Sequence, residues 1–426
     1  MTDPLEIPVL GRPVDAVASV RGSKSLTNRW LVVAALADGD SLLRGVLDGD
    51  DTRHMVEALR TLGFELQWDR DAETIRVSGG GGRIPASLAE LYGGNAGTTV
   101  RFLVSLVALG RGSFHVDGDA RMRERPIHDL LDGLAALGVS VRSEHGNGCP
   151  PVTVEADGIP GGSAIVSGET SSQFASSILL AAPHARRDVV LEIRGRLVGA
   201  PFVEMTLGVM RAAGAEVERE EGRLRVRAGR GYRGGDRAVE PDATAASYFL
   251  ALPLLVGGRV TVPGLGADSL QGDLAFTGVL ADMGARVDLR PDGITVEEGE
   301  LRGVEHDFRD ISDTFLTAAV LAPFASSPSV ITGIEHTRRQ ESDRVAAVAH
   351  ELSRLGARVE ERRDALVIHP SRLHGADVET YGDHRIAMSF ALVGLRVPGV
   401  RIRDPGCVAK TFPDYFERLG RLIGDR

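Results

Sequence analysis

The stretch S-L-T-N-R-W-L-V-V-A-A-L (25–36) decides the fold, because five further stretches of the same kind follow it at nearly equal spacing. They are T-T-V-R-F-L-V-S-L-V-A-L from Thr98, S-S-Q-F-A-S-S-I-L-L from Ser171, D-A-T-A-A-S-Y-F-L-A-L from Asp242, D-T-F-L-T-A-A-V-L from Asp313 and D-H-R-I-A-M-S-F-A-L from Asp383. The opening residues are 73, 73, 71, 71 and 70 positions apart. Each stretch opens on Ser, Thr or Asp, whose side chain can accept from the free N–H groups of a first helical turn. Each then runs apolar nearly all round, so the predicted helix must be buried on every side.

A second motif keeps step with the first. Helix tails ending in Leu-Gly, Ala-Gly or Met-Gly lead into alternating strands at Gly63, Gly138, Gly214, Gly284 and Gly356, with a weaker copy at Gly420. A glycine just past a helix takes the left-handed conformation that closes the last turn. Each period therefore reads as a buried helix, an amphipathic helix and several short strands. Six such periods could be a solenoid or two threefold domains; the strands favour sheets with helices packed inside, and so an α/β (α+β) protein of two domains. The expected domains are 23–239, and 1–22 together with 240–426, the second completed by both chain ends. The Gly/Arg-rich run Gly229–Arg237 reads as the central linker, with a second crossing near Gly22.

Composition narrows the function. The 426 residues exceed one ordinary core and suit two. Net charge is −10 with no Lys/Arg run, which argues against nucleic acid as a partner. Apolar runs are too short for a membrane span, and the N-terminus lacks the basic start and apolar core of a secretory signal. Two cysteines, Cys149 and Cys407, make neither a disulfide framework nor a four-ligand zinc site, and a cytoplasmic location is expected. The eleven histidines show no metal-ligand spacing, so no metal is expected.

Helix N-termini carry partial positive charge and free N–H groups, so six of them are six weak anion sites. Several starts carry more than a cap: Lys24 precedes Ser25, Gly97 precedes Thr98, Gln173 follows two serines, and Arg385 follows Asp383. Gly97 lets a ligand approach the backbone. Taken alone, Asp313 and Asp242 read as helix caps, Arg125 and Arg344 as surface arginines, His384 as a structural histidine, and Arg121, Arg123 and Glu124 as a solvated loop.

Seven ordered motifs span the chain: G-S-K-S-L-T-N-R (22–29), G-N-A-G-T (94–98), R-M-R-E-R-P (121–126), S-S-Q-F (171–174), E-S-D-R (341–344), D-H-R-I-A-M (383–388) and A-K-T-F-P-D-Y-F (409–416). Together they resemble the 5-enolpyruvylshikimate-3-phosphate synthases of the enolpyruvyl transferase family, which implies two domains, each of three β-α-β-α-β-β units with buried helices, like an inside-out α/β barrel. The resemblance implies transfer of the enolpyruvyl group of phosphoenolpyruvate to the 5-hydroxyl of shikimate 3-phosphate, in aromatic amino-acid biosynthesis, without metal or organic cofactor. It implies that Lys24, Gly97, Arg125, Gln173, Arg344, Arg385 and Lys410 hold phosphoenolpyruvate. The acceptor falls to Lys24, Ser25, Arg29, Ser171, Ser172, Gln173, Asp313 and Gln340. Asp313 would face the acceptor hydroxyl and Glu341 the enol methylene, with Lys24 the other group able to deliver a proton. Such anionic ligands need converging cations, and the arginine fork suits carboxylate and phosphate alike. Domain closure around substrate, sensitivity to glyphosate through the space beside Gly97, and a monomer are also implied.

Four positions depart from the family's usual residues on the acceptor side: Gly199 for serine, Phe202 for tyrosine, His336 for asparagine and Gln340 for lysine. Two alternatives stand beside the main reading. One is a related transferase with another acceptor alcohol. The sister enzyme for UDP-N-acetylglucosamine is disfavoured, since R-M-R-E-R-P lacks its lid cysteine. The other is a non-catalytic anion-binding module, against which the joint presence of Lys24, Asp313 and Glu341 speaks.

Overall fold

A computed structural model describes residues 3–220 and 222–424; positions 1, 2, 221, 425 and 426, which fall within the expected domain ranges, lie outside the described residues. All six apolar stretches are helices: α1 (Lys24–Leu36), α2 (Gly97–Val107), α3 (Ser172–Ala181), α4 (Ala243–Leu250), α5 (Phe315–Leu321) and α6 (His384–Gly394). Nearly every residue in them is buried, as an all-round apolar helix demands. Four starts are capped by a side chain: Ser23 accepts from Leu26 N–H, Ser171 from Gln173, Asp242 from Ala245 and Asp383 from Arg385.

The other expected openings are corrected. Ser25 lies inside α1, because Ser23 already supplies the cap. Thr98 lies inside α2, which begins at Gly97 with no side-chain cap. Asp313 stands before α5 without capping it, since its carboxylate is engaged by two arginines.

The repeat is a sheet built around each buried helix. In the second copy, strands Leu88–Tyr92 and Arg111–Asp117 flank α2 and pair in parallel. Helix His128–Ala136 follows, and the hairpin Ser140–Ser143 with Val152–Asp157 closes an antiparallel edge on the second strand. That is β-α-β-α-β-β, with the first strand beside the second and the fourth beside the second in turn. The third and fifth copies repeat this order. The remaining copies borrow a strand. Tyr232–Ala238 pairs in parallel with Ala37–Arg44, Val14–Val17 with Gly258–Pro263, and Leu5–Glu6 antiparallel with Arg401–Ile402. Among the described residues the six sheets are separate and open, and no ladder closes into a barrel.

The run Gly229–Arg237 is therefore no linker. Its second half is the strand that completes the first copy, with a bulge between Arg233 and Gly235. A Cβ at Gly234 would lie 2.3 Å from the Asp40 carbonyl oxygen, so glycine here serves close strand approach and not flexibility.

The chain forms two compact units, residues 22–239, and 1–21 with 240–426. Each holds one apolar core of its own. In the 22–239 unit a polar seam runs between buried helices: Asn28 donates to Thr98 (2.9 Å), Arg101 to Gln173 (2.6 Å), and Ser105 bonds Ser177 (2.6 Å). The paired residue numbers rise together, so α2 and α3 lie parallel with their starts side by side. In the other unit Ser247 of α4 bonds Thr317 of α5 (2.9 Å). No helix among the described residues is long and apolar enough to cross a membrane.

Gly258 opens the strand that the N-terminal segment joins, at φ +93°, and a Cβ there would stand 1.9 Å from the Val14 carbonyl oxygen. Gly258→Ala should therefore destabilise the unit of residues 1–21 and 240–426 by about 1–3 kcal/mol, read as a lower urea midpoint in equilibrium unfolding.

Candidate active site

In the 22–239 unit the starts of the three buried helices bring most of the expected residues together. The Lys24 ammonium lies 3.4 Å from Asp51, which sits in the acidic first turn of helix Asp50–Thr61. Gly97 is the hub of the next group. A Cβ placed on it would stand 2.8 Å from Arg125 Nη2 and 3.2 Å from Gln173 Oε1, so three of the expected residues share one point in space. Arg125 is buried, against its reading as a surface residue, and its Nη1 donates to the carbonyl (3.1 Å) and side chain (2.9 Å) of Asn95. Arg121 and Arg123 do stay on the outside, paired with Glu124 and Asp117.

Gln173 is oriented by a residue the sequence reading passed over. Buried Arg101 donates to Gln173 Oε1 at 2.6 Å, reaches Ser171 Oγ at 3.5 Å and lies over the Phe174 ring. The amide oxygen thereby faces a buried cation. Arg101 stands four residues after Gly97, on the same helix face, which was the available signal.

Arg29 is fully enclosed. Its guanidinium donates to Thr206 Oγ1 (2.8 Å), the Ser25 carbonyl (2.9 Å) and the Phe202 carbonyl (3.0 Å), and it lies over the Phe102 ring. Burial lowers its pKa to about 9. It fastens Ser25 and Phe202 from behind. Gly199 and Phe202 lie against each other. Gly199 is left-handed at φ +64°, and a Cβ on it would meet the Phe202 ring at 3.1 Å and Ser172 Oγ at 3.2 Å. A serine there would need both the backbone and the ring to move.

In the other unit everything is gathered by Arg344, 1% exposed at the start of helix Arg344–Arg354. Nε donates to Asp383 (2.8 Å), Nη1 to Asp313 (2.9 Å) and Gln340, and Nη2 pairs with Glu341 (3.0 Å). Burial pulls its pKa down, but the charges of Asp383, Glu341 and Asp313 outweigh burial and raise it. Arg385 of α6 holds the second oxygen of Asp313 (2.7 Å) and reaches Tyr248 Oη (3.5 Å). It too is raised, since Asp313, Tyr248, Asp242 and Asp273 overcome its burial. Three carboxylates thus contact two guanidiniums. Asp313, with 20% of its side chain exposed, is the most open of the three carboxylates.

Asp383 does two jobs, capping α6 and gripping Arg344, with Ser342 donating to it at 3.0 Å. His384 is buried behind it. His336 Nε2 sits 2.9 Å from Ser312 Oγ. Burial lowers its pKa from the usual histidine value, so it is neutral at pH 7 and adds no cation beside Asp313. Gln340 spends its amide oxygen on Arg344. Lys410 ends the short turn Pro405–Lys410 and is buried at the edge of α6.

The model of the EPSP synthase family (3-phosphoshikimate 1-carboxyvinyltransferase) matches residues 10–419. A 3-phosphoshikimate 1-carboxyvinyltransferase of Nostoc punctiforme is 45% identical over 99% of each chain, and one of Serratia proteamaculans is 44% identical over 96% of each. The solved EPSP synthase of Acinetobacter baumannii superposes with a TM-score of 0.82 at 25% identity, covering 99% of this chain and 98% of its own. An enolpyruvyl transferase of Streptomyces tendae shares the fold, with a TM-score of 0.79 at 22% identity, 99% of this chain and 98% of its own. Whole-length matches in sequence and in fold, with the seven motifs in order, make this chain a member of the EPSP synthase family.

Proposed function

We propose that this protein transfers the enolpyruvyl group of phosphoenolpyruvate to the 5-hydroxyl of shikimate 3-phosphate and releases inorganic phosphate. The observation that carries the reading is the Arg344–Asp313–Arg385 bridge, in which two guanidiniums hold the one carboxylate best placed to take a proton from an alcohol. In this reading Lys24, Arg125, Arg344, Arg385 and Lys410 hold the donor's phosphate and carboxylate. Gln173 donates through its amide nitrogen, and Gly97 leaves the room. Ser25, Ser171, Ser172, Asp313 and Gln340 serve the acceptor, with Arg29 bracing Ser25.

The chemistry needs a proton in two places. The acceptor hydroxyl loses one as its oxygen bonds to C2 of the donor, and the methylene carbon gains one so that C2 becomes electrophilic. When phosphate leaves, the methyl returns its proton and the double bond is restored. Asp313 is a weak base while both arginines hold it. An anionic donor bound against those arginines offsets their positive charge, so the base strength of Asp313 rises with substrate binding. Glu341, on Arg344 Nη2, faces the same change, and Lys24 is the other proton source.

The test is phosphate release from phosphoenolpyruvate with shikimate 3-phosphate supplied. Acceptor-dependent release is expected; release only with a different alcohol would select a paralogous acceptor, and no release at all would defeat the reading. Glu341→Gln should cut kcat by roughly 10²–10⁴-fold, the usual worth of a general acid or base. It should change KM little, and equal losses in both would remove the proposed proton role. Gly97→Ala would press a methyl against Arg125 Nη2. Steady-state kinetics should show KM for phosphoenolpyruvate up about tenfold, roughly 1.4 kcal/mol, with a larger rise in the inhibition constant of glyphosate. Unchanged sensitivity would argue against this placement of Gly97.

A further inference from the structure

Helix α4 was read as plainly capped, yet a buried acid lies beside its start. Asp273, in the short turn Gly272–Ala275, is 6% exposed. Its Oδ2 accepts from Thr244 Oγ1 of α4 at 2.5 Å, and its Oδ1, also buried, has no hydrogen-bond partner among the described residues. The turn is held in place by Gln271, whose amide accepts from Ala243 N–H (3.0 Å) and donates to the Pro241 carbonyl (2.7 Å). Helix α4 links this acid to Arg385: Thr244 bonds Asp273, and one turn on Tyr248 Oη lies 3.5 Å from Arg385 Nη1. The charges felt at Asp273 are those of Asp313 from the segment before α5, Arg385 from α6 and Asp242 from the cap of α4. Arg385 in turn faces Asp313, Asp242 and Asp273 together.

A buried carboxyl with one unpartnered oxygen is badly placed to be an anion. We propose that Asp273 is a positioning residue for Arg385, carrying a proton so that Arg385 stays receptive to the anionic donor. The proposal rests on the reading that Arg385 binds phosphoenolpyruvate. Protonated, Asp273 leaves Arg385 facing Asp313 and Asp242. Ionised, it adds a third fixed negative charge beside the guanidinium that the donor must reach. Burial, then the charge of Asp313, push Asp273 up to about 7, against the opposing hydrogen bond of Thr244 and the charge of Arg385. The switch between the two forms therefore falls near neutral pH.

The experiment is the pH profile of kcat/KM for phosphoenolpyruvate at saturating shikimate 3-phosphate, for the wild type, Asp273→Asn and Thr244→Val. Ionisation of the substrate is common to all three and cancels in their ratios. Wild-type kcat/KM should fall about tenfold as pH rises from 6 to 8.5, carried mainly by KM. Asp273→Asn, permanently neutral, should lose that limb. Thr244→Val removes a bond that favours the ionised form, so its limb should move to higher pH by up to about one unit. A limb unchanged in both variants would overturn the proposal, as would a uniform loss at every pH, which is what a merely structural role gives.

Stability supplies a readout without turnover. A folded-state pKa above the unfolded carboxyl value is a cost absent in acid that grows as pH rises toward about 7. The melting temperature of Asp273→Asn relative to the wild type should therefore improve between pH 5 and pH 8. If that shift appears while the kinetic limb survives, the link to Arg385 falls and the functional reading stands. Absence of acceptor-dependent phosphate release would overturn both.

Discussion

Three buried helices packed with their starts side by side set the terms for each unit. Each start exposes unsatisfied N–H groups and a partial positive charge, and adjacent starts of the same sense concentrate that field. The two units answer it in opposite ways. In residues 22–239 the starts are neutral, at Ser23, Gly97 and Ser171, and the positive field is reinforced by Lys24 and Arg125. In the other unit every start carries an aspartate, Asp242, Asp313 and Asp383, and arginines then return to the carboxylates. One unit opens its buried helices on neutral residues, and the other on aspartates gripped by arginines.

Those grips hold the second unit's charged residues in place. Arg344 is enclosed by Asp383, Asp313, Glu341 and Gln340, and a guanidinium so held cannot lose its proton or change its orientation cheaply. Removing a partner from such a buried pair typically costs about 3–5 kcal/mol. Asp383, fully buried and doubly engaged, is the rigid anchor, whereas Asp313 is the partner open enough to exchange. One acceptor-side departure fits the same logic, since Gln340 faces Arg344 with an acceptor where a lysine would face it with a like charge.

Much of this was written in the sequence. Six polar openings at a spacing of about 70 residues, five glycine-closed helix tails and alternating strands fixed a two-helix repeat and its number, while the β-α-β-α-β-β order came with the family motifs. They also fixed the need for chain ends to complete the edge copies. These signals are local: a cap, a left-handed glycine and an apolar helix act within a few residues of themselves. The motifs carried the family and the residue types of the site for the same reason, as each is a run of neighbours.

What only the tertiary structure decided is which of those residues meet. Asp313 reads as a cap until Arg344, 31 positions on, and Arg385, 72 positions on, claim its two oxygens. Gly229–Arg237 reads as a linker until its strand pairs with residues 37–44. Arg101, Asp51 and Asp273 have no local mark beyond their charge, and each takes its role from a helix start brought beside it by packing. Hydrogen bonding within a turn is set by adjacent residues and is legible in order along the chain. Charge pairing in a buried seam is set by which helices are neighbours, and that is settled when the apolar faces find one another.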